Sequence, residues 1–553
     1  MLLNTIKKYK YILILVLVSI PASLSLLQKG MYEPHDLHHL ADIWQMYRAF
    51  ETGQIPPRLG PDFTWGFGYP LFNFYYHLPF YLGAVFYALF GSLVLSFKLV
   101  FFASILTSVF GMYLLARLYL NKLPSLVTAT VFLYTPYRAV QIYVRGAMGE
   151  AVALAILPFV IWAFVNLIRK TNIKNIATSA IIFTLFLLSH NYFWVLSAPV
   201  IGVFVIYELF NSTNKILSTT YQLLAVALGL GLSAYFWLPA LFEQNLVAEK
   251  TPFLLIDHFP FIKQLIIPGW GYGSSVWGPG DEISFQIGIV NLIIAFIAIL
   301  VLLIKLPKIK KPKNNIFVLL AFLFAVFLGS VFFMNIRSLP VWKLVPFYDF
   351  IQFPWRLLFI TGFVTSFMAG ILFNLLERQI ASVVLVIFIT IGLTASYFQP
   401  SQIFYKTDEN YLERFFKTET YSEDYLLLPK WTDKRPQTPL ASKVEIANGQ
   451  IFEARKISDI HYKFEVFSEK DSELTFWAYY FPGWKATINS QELELKPGKP
   501  YGQIVAHLPS GQHFIEISWV ETKLRLLADL ISLISFGLIV ILLWRSFNHA
   551  ESH

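Results

Sequence analysis

The sequence predicts an α-helical polytopic membrane protein that carries a β-rich, sandwich-like domain before its last helix. Hydrophobic residues make up 56% of the 553 positions and charged residues only 14%, and the mean hydropathy is +0.57. Many apolar runs reach the roughly 20 residues that a helix needs to cross the hydrocarbon core. Because backbone groups in lipid must be paired within a helix or a closed barrel, these runs predict membrane helices.

The apolar runs divide the chain into about twelve to fourteen predicted spans. They are the run ending at Leu27 and the ranges 77–91, 94–117, 123–142, 149–168, 176–190, 192–210, 220–242, 285–304, 315–335, 355–376, 381–398 and 524–544. The number of spans is given as a range because of one conflict. Three predicted spans precede the basic loop at Arg117 and Lys122, whereas an even number is needed to place this loop on the same side of the membrane as the N-terminus.

Basic residues predict the orientation of the protein in the cytoplasmic membrane. Five lysines crowd the loop 305–313, and short loops rich in Lys and Arg stay in the cytoplasm. This places both termini in the cytoplasm and the segment 399–523 outside. The net charge of +9 is explained by such loops and does not indicate a nucleic-acid partner. The chain has no cysteine, which excludes disulfides, thiol nucleophiles and thiolate metal sites.

The pattern predicts three parts: a multi-span domain over 1–398 with a large first outer loop at 31–76, an extracytoplasmic domain over 399–523, and a last helix with a short cytoplasmic tail over 524–553. The outer segment holds 15 basic and 18 acidic residues, typical of a solvated domain. Its second half predicts a small antiparallel sandwich, because short β-rich runs are separated by turn dipeptides such as Pro482-Gly483 and Ser510-Gly511. The predicted strands are Leu474–Tyr480, Lys485–Ile488, Gln503–Leu508 and His513–Trp519.

The first outer loop contains the strongest candidate for chemistry, the stretch His35-Asp36-Leu37-His38-His39. A carboxylate flanked by imidazoles just outside a span suits a general base. Three further polar groups stand at predicted outer ends of spans. They are Arg145 with Glu150, Ser189-His190-Asn191, and Gln352 to Arg356.

Each group also has a structural interpretation. The loop histidines suit ordinary interfacial side chains, and Arg145 and Arg356 suit anchors that extend from the membrane towards water. Glu150 suits a helix N-terminus, where the dipole favours an acid, and His190 suits a helix cap. Taken together, however, a carboxylate, two arginines and a histidine on one face fit an anionic lipid head group, because arginine binds phosphate in a bidentate way.

Several of these motifs resemble one family. The stretches His35–Leu40, Gly53–Arg58, Phe67–Phe72, Arg145–Ala147 with Glu150, Leu188–Asn191 and Tyr480–Trp484 are similar to the pyruvoyl-tetrahydropterin-synthase-related polytopic membrane proteins. That family is similar to the GT-C glycosyltransferase superfamily, whose enzymes carry an acidic residue in the first outer loop and use polyprenyl-phosphate sugars. The resemblance implies a GT-C-like fold with Asp36 as the catalytic carboxylate, and no pterin-synthase activity.

The resulting hypothesis is a membrane glycosyltransferase that moves a sugar from a polyprenyl-phosphate-linked donor to a glycan, lipid or protein acceptor at the outer face, among membrane lipids. In this hypothesis Asp36 deprotonates or orients the acceptor, and Arg58, Arg145 or Arg356 holds the phosphate. The predicted pocket is completed by Glu33, His35, His38, His39, Glu150 and His190. No cofactor is certain, but a divalent ion held by His35, Asp36 and His39 stays open. The alternative is a lipid or polysaccharide transporter, or a non-catalytic assembly protein of the cell envelope.

Overall fold

The structure, a computed structural model, describes residues 2–247, 254–313, 315–345, 348–376, 380–416 and 428–551. It is mostly helical, with a β domain directly before the last helix, as the sequence predicts. The helices of eight or more residues are α1 Leu2–Leu27, α2 His39–Glu51, α3 Leu78–Phe90, α4 Leu93–Ala116, α5 Lys122–Leu133, α6 Met148–Arg169, α7 Ile173–Leu187, α8 Phe193–Asn211, α9 Lys215–Leu232, α10 Ala234–Phe242, α11 Ile289–Lys305, α12 Ile316–Phe333, α13 Leu358–Asn374, α14 Ile380–Thr394, α15 Asp408–Phe416 and α16 Lys523–Glu551.

Within the described ranges, ten helices are long and apolar enough to cross a membrane, which confirms a multi-pass membrane protein. These are α1, α4, α6, α8, α9, α11, α12, α13, α14 and α16. Three shorter apolar helices, α3, α5 and α7, coincide with predicted spans. The number of crossings and the side of each loop stay predictions.

The predicted span 123–142 is interrupted, and the interruption determines the position of Arg145. Helix α5 ends at Leu133, and Thr135 is extended with ψ 136° because the following Pro136 disfavours a helical residue before it. The chain then forms a short helical turn and a π-helix, Val140–Arg145. Gly146 ends the π-helix at φ +67°, so Arg145 lies just before the start of α6.

The predicted first outer loop, 31–76, contains a helix that the sequence pattern did not predict. It contains α2, whose residues Leu40, Ile43 and Met46 recur at helical spacing and are fully buried. A Cβ on Gly83 of α3 would lie 2.5 Å from Ile43, so this glycine lets the two helices approach closely. This helix was not predicted from the sequence because its first turn is polar, with His38, His39 and Asp42.

The β domain is an antiparallel sandwich, as predicted. Its strands are β1 Val444–Ile446, β2 Gly449–Ser458, β3 His461–Ser468, β4 Ser472–Tyr479, β5 Trp484–Ile488, β6 Gln491–Leu493, β7 Lys496–Pro497, β8 Gln503–Leu508 and β9 Gly511–Trp519. One sheet has the order β1-β4-β8-β7 and the other β2-β3-β9-β5-β6. The predicted strands correspond to β4, β5, β8 and β9, and the other five were not predicted. Of these, the edge strand β2 is exposed along most of its length and lacks a clear alternation.

The β domain packs on the first loop. The Phe67 ring lies 5.1 Å from that of Tyr479 and 5.9 Å from that of Trp477. The Lys443 ammonium group donates a 2.6 Å hydrogen bond to the Gly66 carbonyl oxygen. At the start of this contact, Thr64 has a positive φ of 54°, a conformation that β-branched residues rarely adopt. The β domain therefore packs against the same loop that contains Asp36.

The fragment 440–520 is expected to fold when it is expressed alone, because its strands form their own core, in which Phe476 and Ile504 are fully buried. Dispersed amide resonances in its NMR spectrum would show this. Within the fragment, Phe476→Ala is expected to cost about 3–5 kcal/mol of the free energy of unfolding. Phe514→Ala is the control, since that ring is 61% exposed. A fragment with collapsed amide dispersion would contradict the prediction.

Candidate functional site

A buried carboxylate, Glu150 in the first turn of α6, is held by four donors. Its Oε1 accepts 2.8 Å hydrogen bonds from Arg145 Nη1 and Arg356 Nε. Its Oε2 accepts a hydrogen bond from the Tyr137 hydroxyl at 2.8 Å and a longer one from Gln141 Nε2 at 3.3 Å. Glu150 is 1% exposed. Two residues predicted from different parts of the chain thus meet on one oxygen atom.

Local backbone conformations bring the two arginines to Glu150. Gly146, next to Arg145, packs against Pro34 of the first loop. A Cβ at this position would lie 2.5 Å from the Pro34 ring, so this close contact requires glycine. Arg356 lies in the 3₁₀ turn Pro354–Leu357 that leads into α13. Four residues earlier, Gln352 has a positive φ of 61° and turns the chain towards the site.

Aromatic rings surround both guanidinium groups. Arg145 lies 4.9 Å from the centroid of the Trp355 ring, and Arg356 lies 4.8 Å from that of Phe353 and 5.2 Å from that of Tyr192. Arg356 Nη1 also donates to the Ile351 carbonyl oxygen at 2.6 Å and to the Tyr192 hydroxyl. Such packing holds the planar groups in place by cation–π attraction.

The cluster of Arg145, Arg356 and Glu150 carries one positive charge in excess, because a single carboxylate faces two guanidinium groups. Burial alone would lower the pKa of Arg145, but the neighbouring Glu150, Tyr137 and Asp36 raise it above its usual value. Arg145 therefore stays charged. The half-buried Asp36 offsets part of this excess, and two buried guanidinium groups beside each other suit an anionic group.

Asp36 lies beside this cluster, attached through its backbone. Its N–H donates a 2.8 Å hydrogen bond to the Arg145 carbonyl oxygen, and the His35 N–H donates to the Val144 carbonyl oxygen at 3.1 Å. The Asp36 side chain is half-buried, while the His35 side chain is exposed and contacts the Tyr272 carbonyl oxygen through Nε2 at 2.9 Å. The structure thus brings Asp36 to the arginines and directs His35 elsewhere.

His190 joins the cluster from the end of α7. Its ring stacks on Tyr76 with the centroids 5.2 Å apart, and the Tyr76 hydroxyl lies 3.4 Å from His39 Nε2. Burial lowers the pKa of His190 to about 3, against the raising effect of Glu150. The imidazole is therefore neutral near pH 7, which suits packing and hydrogen bonding rather than ion pairing.

Two predicted residues have partners outside this cluster. Arg58 is 1% exposed, and its guanidinium donates to Glu521 at 3.2 Å, to Asp529 at 3.0 Å and to the Tyr235 carbonyl oxygen at 2.6 Å. Glu33 pairs with Lys406 at 2.5 Å, and one Arg414 nitrogen lies 3.5 Å away. Arg58 thus connects the first loop with the start of α16.

The sequence patterns did not point to Tyr137, Gln141 or Tyr192, which contact the Glu150–arginine cluster. The available signal was Gln141, a polar residue inside a predicted span, where such residues are often functional. The tyrosines carried no signal, because the chain contains 29 of them.

A set of metal-type ligands exists in the first loop, but it differs from the predicted set. In the described part of the chain, the potential ligand atoms of His38, His39 and Asp42 all lie within 4.8 Å of one another. Asp42 Oδ2 is 3.1 Å from His39 Nδ1 and 3.5 Å from His38 Nε2. The predicted trio of His35, Asp36 and His39 is not assembled in this way, since His35 faces a backbone carbonyl.

Residues 72–402 match the model of the 6-pyruvoyl-tetrahydropterin synthase related domain, described as a membrane protein. A curated relative from Lactococcus lactis, named an uncharacterized protein, is 23% identical over 358 residues. That match covers 62% of this chain and 56% of the relative, so the chain spans little more than half the length of that protein.

Three solved structures are similar at a distance. The mycobacterial arabinofuranosyltransferase AftD is 14% identical with a TM-score of 0.45, over 72% of this chain and 28% of that one. ArnT from Cupriavidus metallidurans, bound to undecaprenyl phosphate, is 13% identical with a TM-score of 0.40, over 69% of this chain and 64% of that one. The Archaeoglobus fulgidus oligosaccharyltransferase with a tethered acceptor peptide is 13% identical with a TM-score of 0.40, over 79% and 61%.

Proposed function

The chain belongs to the 6-pyruvoyl-tetrahydropterin synthase related family of membrane proteins, and we propose that it is a membrane glycosyltransferase with a polyprenyl-phosphate-linked sugar donor. The acceptor is a glycan, a lipid or a protein at the outer face of the cytoplasmic membrane. The observation that carries the proposal is the pair of buried arginines on Glu150 with Asp36 beside them. The family supports the membrane location, and the arrangement of Arg145, Arg356, Glu150 and Asp36 supports the proposed chemistry.

The arginines are proposed to hold the donor phosphate. Arg145 and Arg356 are both buried, 7% and 6% exposed, and their guanidinium groups meet at Glu150. Their excess positive charge matches a phosphate diester, and planar guanidinium groups bind phosphate oxygens in a bidentate way. Arg58 is assigned a structural role instead, because Glu521 and Asp529 already occupy its guanidinium group.

The proposed reaction is one displacement. The acceptor oxygen forms a bond to the anomeric carbon of the sugar, and the bond from that carbon to the phosphate oxygen breaks. The electron pair leaves with polyprenyl phosphate, and the acceptor proton passes to the Asp36 carboxylate. Arg145 and Arg356 stabilise the negative charge that develops on the phosphate oxygen, where preorganised cations are most effective.

A deletion strain tests the activity directly. Without this chain, the sugar-loaded polyprenyl carrier is expected to accumulate, and one surface glycan or glycolipid is expected to lack a residue. Mass spectrometry of extracted polyprenyl-linked sugars and of surface glycans measures both. A complemented strain should restore the wild-type pattern. Unchanged carriers and unchanged glycans would contradict a transferase and favour the assembly or transport alternative.

The orientation is a separate prediction and is tested by labelling. The chain has no cysteine, so single cysteines can be introduced without a background. Ala447→Cys, exposed near the start of the β domain, is expected to react with an impermeant maleimide in intact cells. Lys311→Cys, exposed in the lysine-rich loop, should react only after permeabilisation. The reverse pattern would place the site on the cytoplasmic side.

A further inference from the structure

We propose that His38, His39 and Asp42 bind one divalent transition-metal ion, with Zn²⁺ as the best fit. This inference does not depend on the glycosyltransferase proposal. The three side chains are 6%, 1% and 2% exposed, respectively. Two imidazoles and one carboxylate, closely grouped and buried, form a ligand set that suits such an ion.

The distances fit a shared ion. With bonds of 2.0–2.1 Å, two ligand atoms in a tetrahedral site lie about 3.3 Å apart. Asp42 Oδ2 is 3.1 Å from His39 Nδ1 and 3.5 Å from His38 Nε2. An ion could therefore lie between these three atoms with small side-chain adjustments, leaving a fourth position for water or another group.

The start of α2 explains how two adjacent residues reach one point. Successive residues within a helix point about 100° apart, since a turn takes 3.6 residues. His38, however, is the residue before α2, and the rings of His38 and His39 are 4.1 Å apart. Asp42 follows one turn later on the same face, so its carboxylate meets both rings.

The environment favours nitrogen ligands and a transition metal. Two of the three ligands are imidazole nitrogens, which suit a transition metal such as Zn²⁺. Mg²⁺ and Ca²⁺ prefer oxygen ligands, and two nitrogens among three protein ligands disfavour them.

The surroundings connect this cluster with the Glu150 site. If His39 binds the ion through Nδ1, its Nε2 still faces the Tyr76 hydroxyl at 3.4 Å, an outer contact of the kind that orients metal-bound histidines. Tyr76 in turn stacks on His190. The His39 N–H donates a 3.3 Å hydrogen bond to the Asp36 carbonyl oxygen. The ion would therefore hold the first turn of α2 and, through it, the position of Asp36.

The test is the metal content of the purified full-length protein in detergent. After treatment with a chelator, reloading with ZnCl₂ and desalting, the wild type is expected to retain about one Zn²⁺ per chain. Asp42→Asn and His39→Gln should each weaken Zn²⁺ binding by roughly 10- to 100-fold or more. His35→Gln is the matched control, an exposed histidine of the same loop that should retain the ion.

Co²⁺ gives a second measurement that does not depend on activity. Visible absorption bands of Co²⁺ bound to nitrogen and oxygen should appear in the wild type and vanish in Asp42→Asn, while both proteins elute identically in gel filtration. A wild type that retains no Zn²⁺, or an Asp42→Asn protein that binds Zn²⁺ and Co²⁺ like the wild type, would overturn the site. A wild type that retains Zn²⁺, together with unchanged carrier sugars in the deletion strain, would contradict only the proposed reaction. A wild type that retains no Zn²⁺, together with altered carrier sugars, would contradict only the metal site.

Discussion

Asp36→Asn is expected to lower the turnover of sugar transfer by about 10²–10⁴-fold, the usual contribution of a positioned general base. Asparagine keeps the size of the side chain and removes only its charge and basicity. The attachment of this segment is expected to persist, since the Asp36 N–H, not its side chain, donates to Arg145. The measurement is the rate of transfer from a polyprenyl-phosphate sugar to acceptor in proteoliposomes.

The thermal stability of Asp36→Asn should stay close to that of the wild type, because the half-buried side chain supports little packing. Glu51→Gln is the matched control, an acid of the same loop whose side chain is 48% exposed and pairs with Arg48. It should keep the wild-type rate. Arg356→Ala should instead raise the KM for the donor, since it removes a phosphate contact. A folded Asp36→Asn protein with wild-type transfer would remove Asp36 from the mechanism.

Glu150→Gln is expected to destabilise the protein by about 3–5 kcal/mol, because it leaves two buried guanidinium groups without their carboxylate. The hydrogen bonds from Arg145 and Arg356 both end on Glu150 Oε1, so one substitution weakens both pairs. Thermal unfolding of the purified protein in detergent measures the effect. Loss of this much free energy is a large fraction of the stability of a typical domain.

A second substitution separates charge from shape. Glu150→Gln combined with Arg145→Met removes one uncompensated cation, so the double variant should be more stable than Glu150→Gln alone. Glu494→Gln is the control on the surface, since its partner Lys496 is 65% exposed, and it should cost at most about 1 kcal/mol. If Glu150→Gln unfolds at the wild-type temperature, the buried cluster does not contribute to stability as its geometry indicates.

The candidate site was partly visible in the sequence. Asp36 was selected as a carboxylate flanked by histidines in the first loop, and Arg145, Glu150, His190 and Arg356 as polar residues at the outer ends of predicted spans. The structure places them close together. Arg58, from a motif of the same loop, was predicted to hold the phosphate together with Arg145 and Arg356. Its pairing with Glu521 and Asp529 joins residues more than 460 positions apart in the chain, and a local pattern contains no information about such a pair.

Local patterns alone determined the membrane class, the apolar helices and the later strands of the β domain. A helix in lipid requires a long apolar run, and strands joined by tight turns give short β-rich runs separated by turn residues. Only the tertiary structure decided which charges meet. Arg145 reaches Glu150, which it shares with Arg356, because Thr135-Pro136 interrupts the predicted span 123–142 and Gly146 packs closely against Pro34. His38 and His39 face Asp42 rather than Asp36 because α2 begins at that point. These contacts depend on chain direction and close packing, which residue type and spacing do not specify.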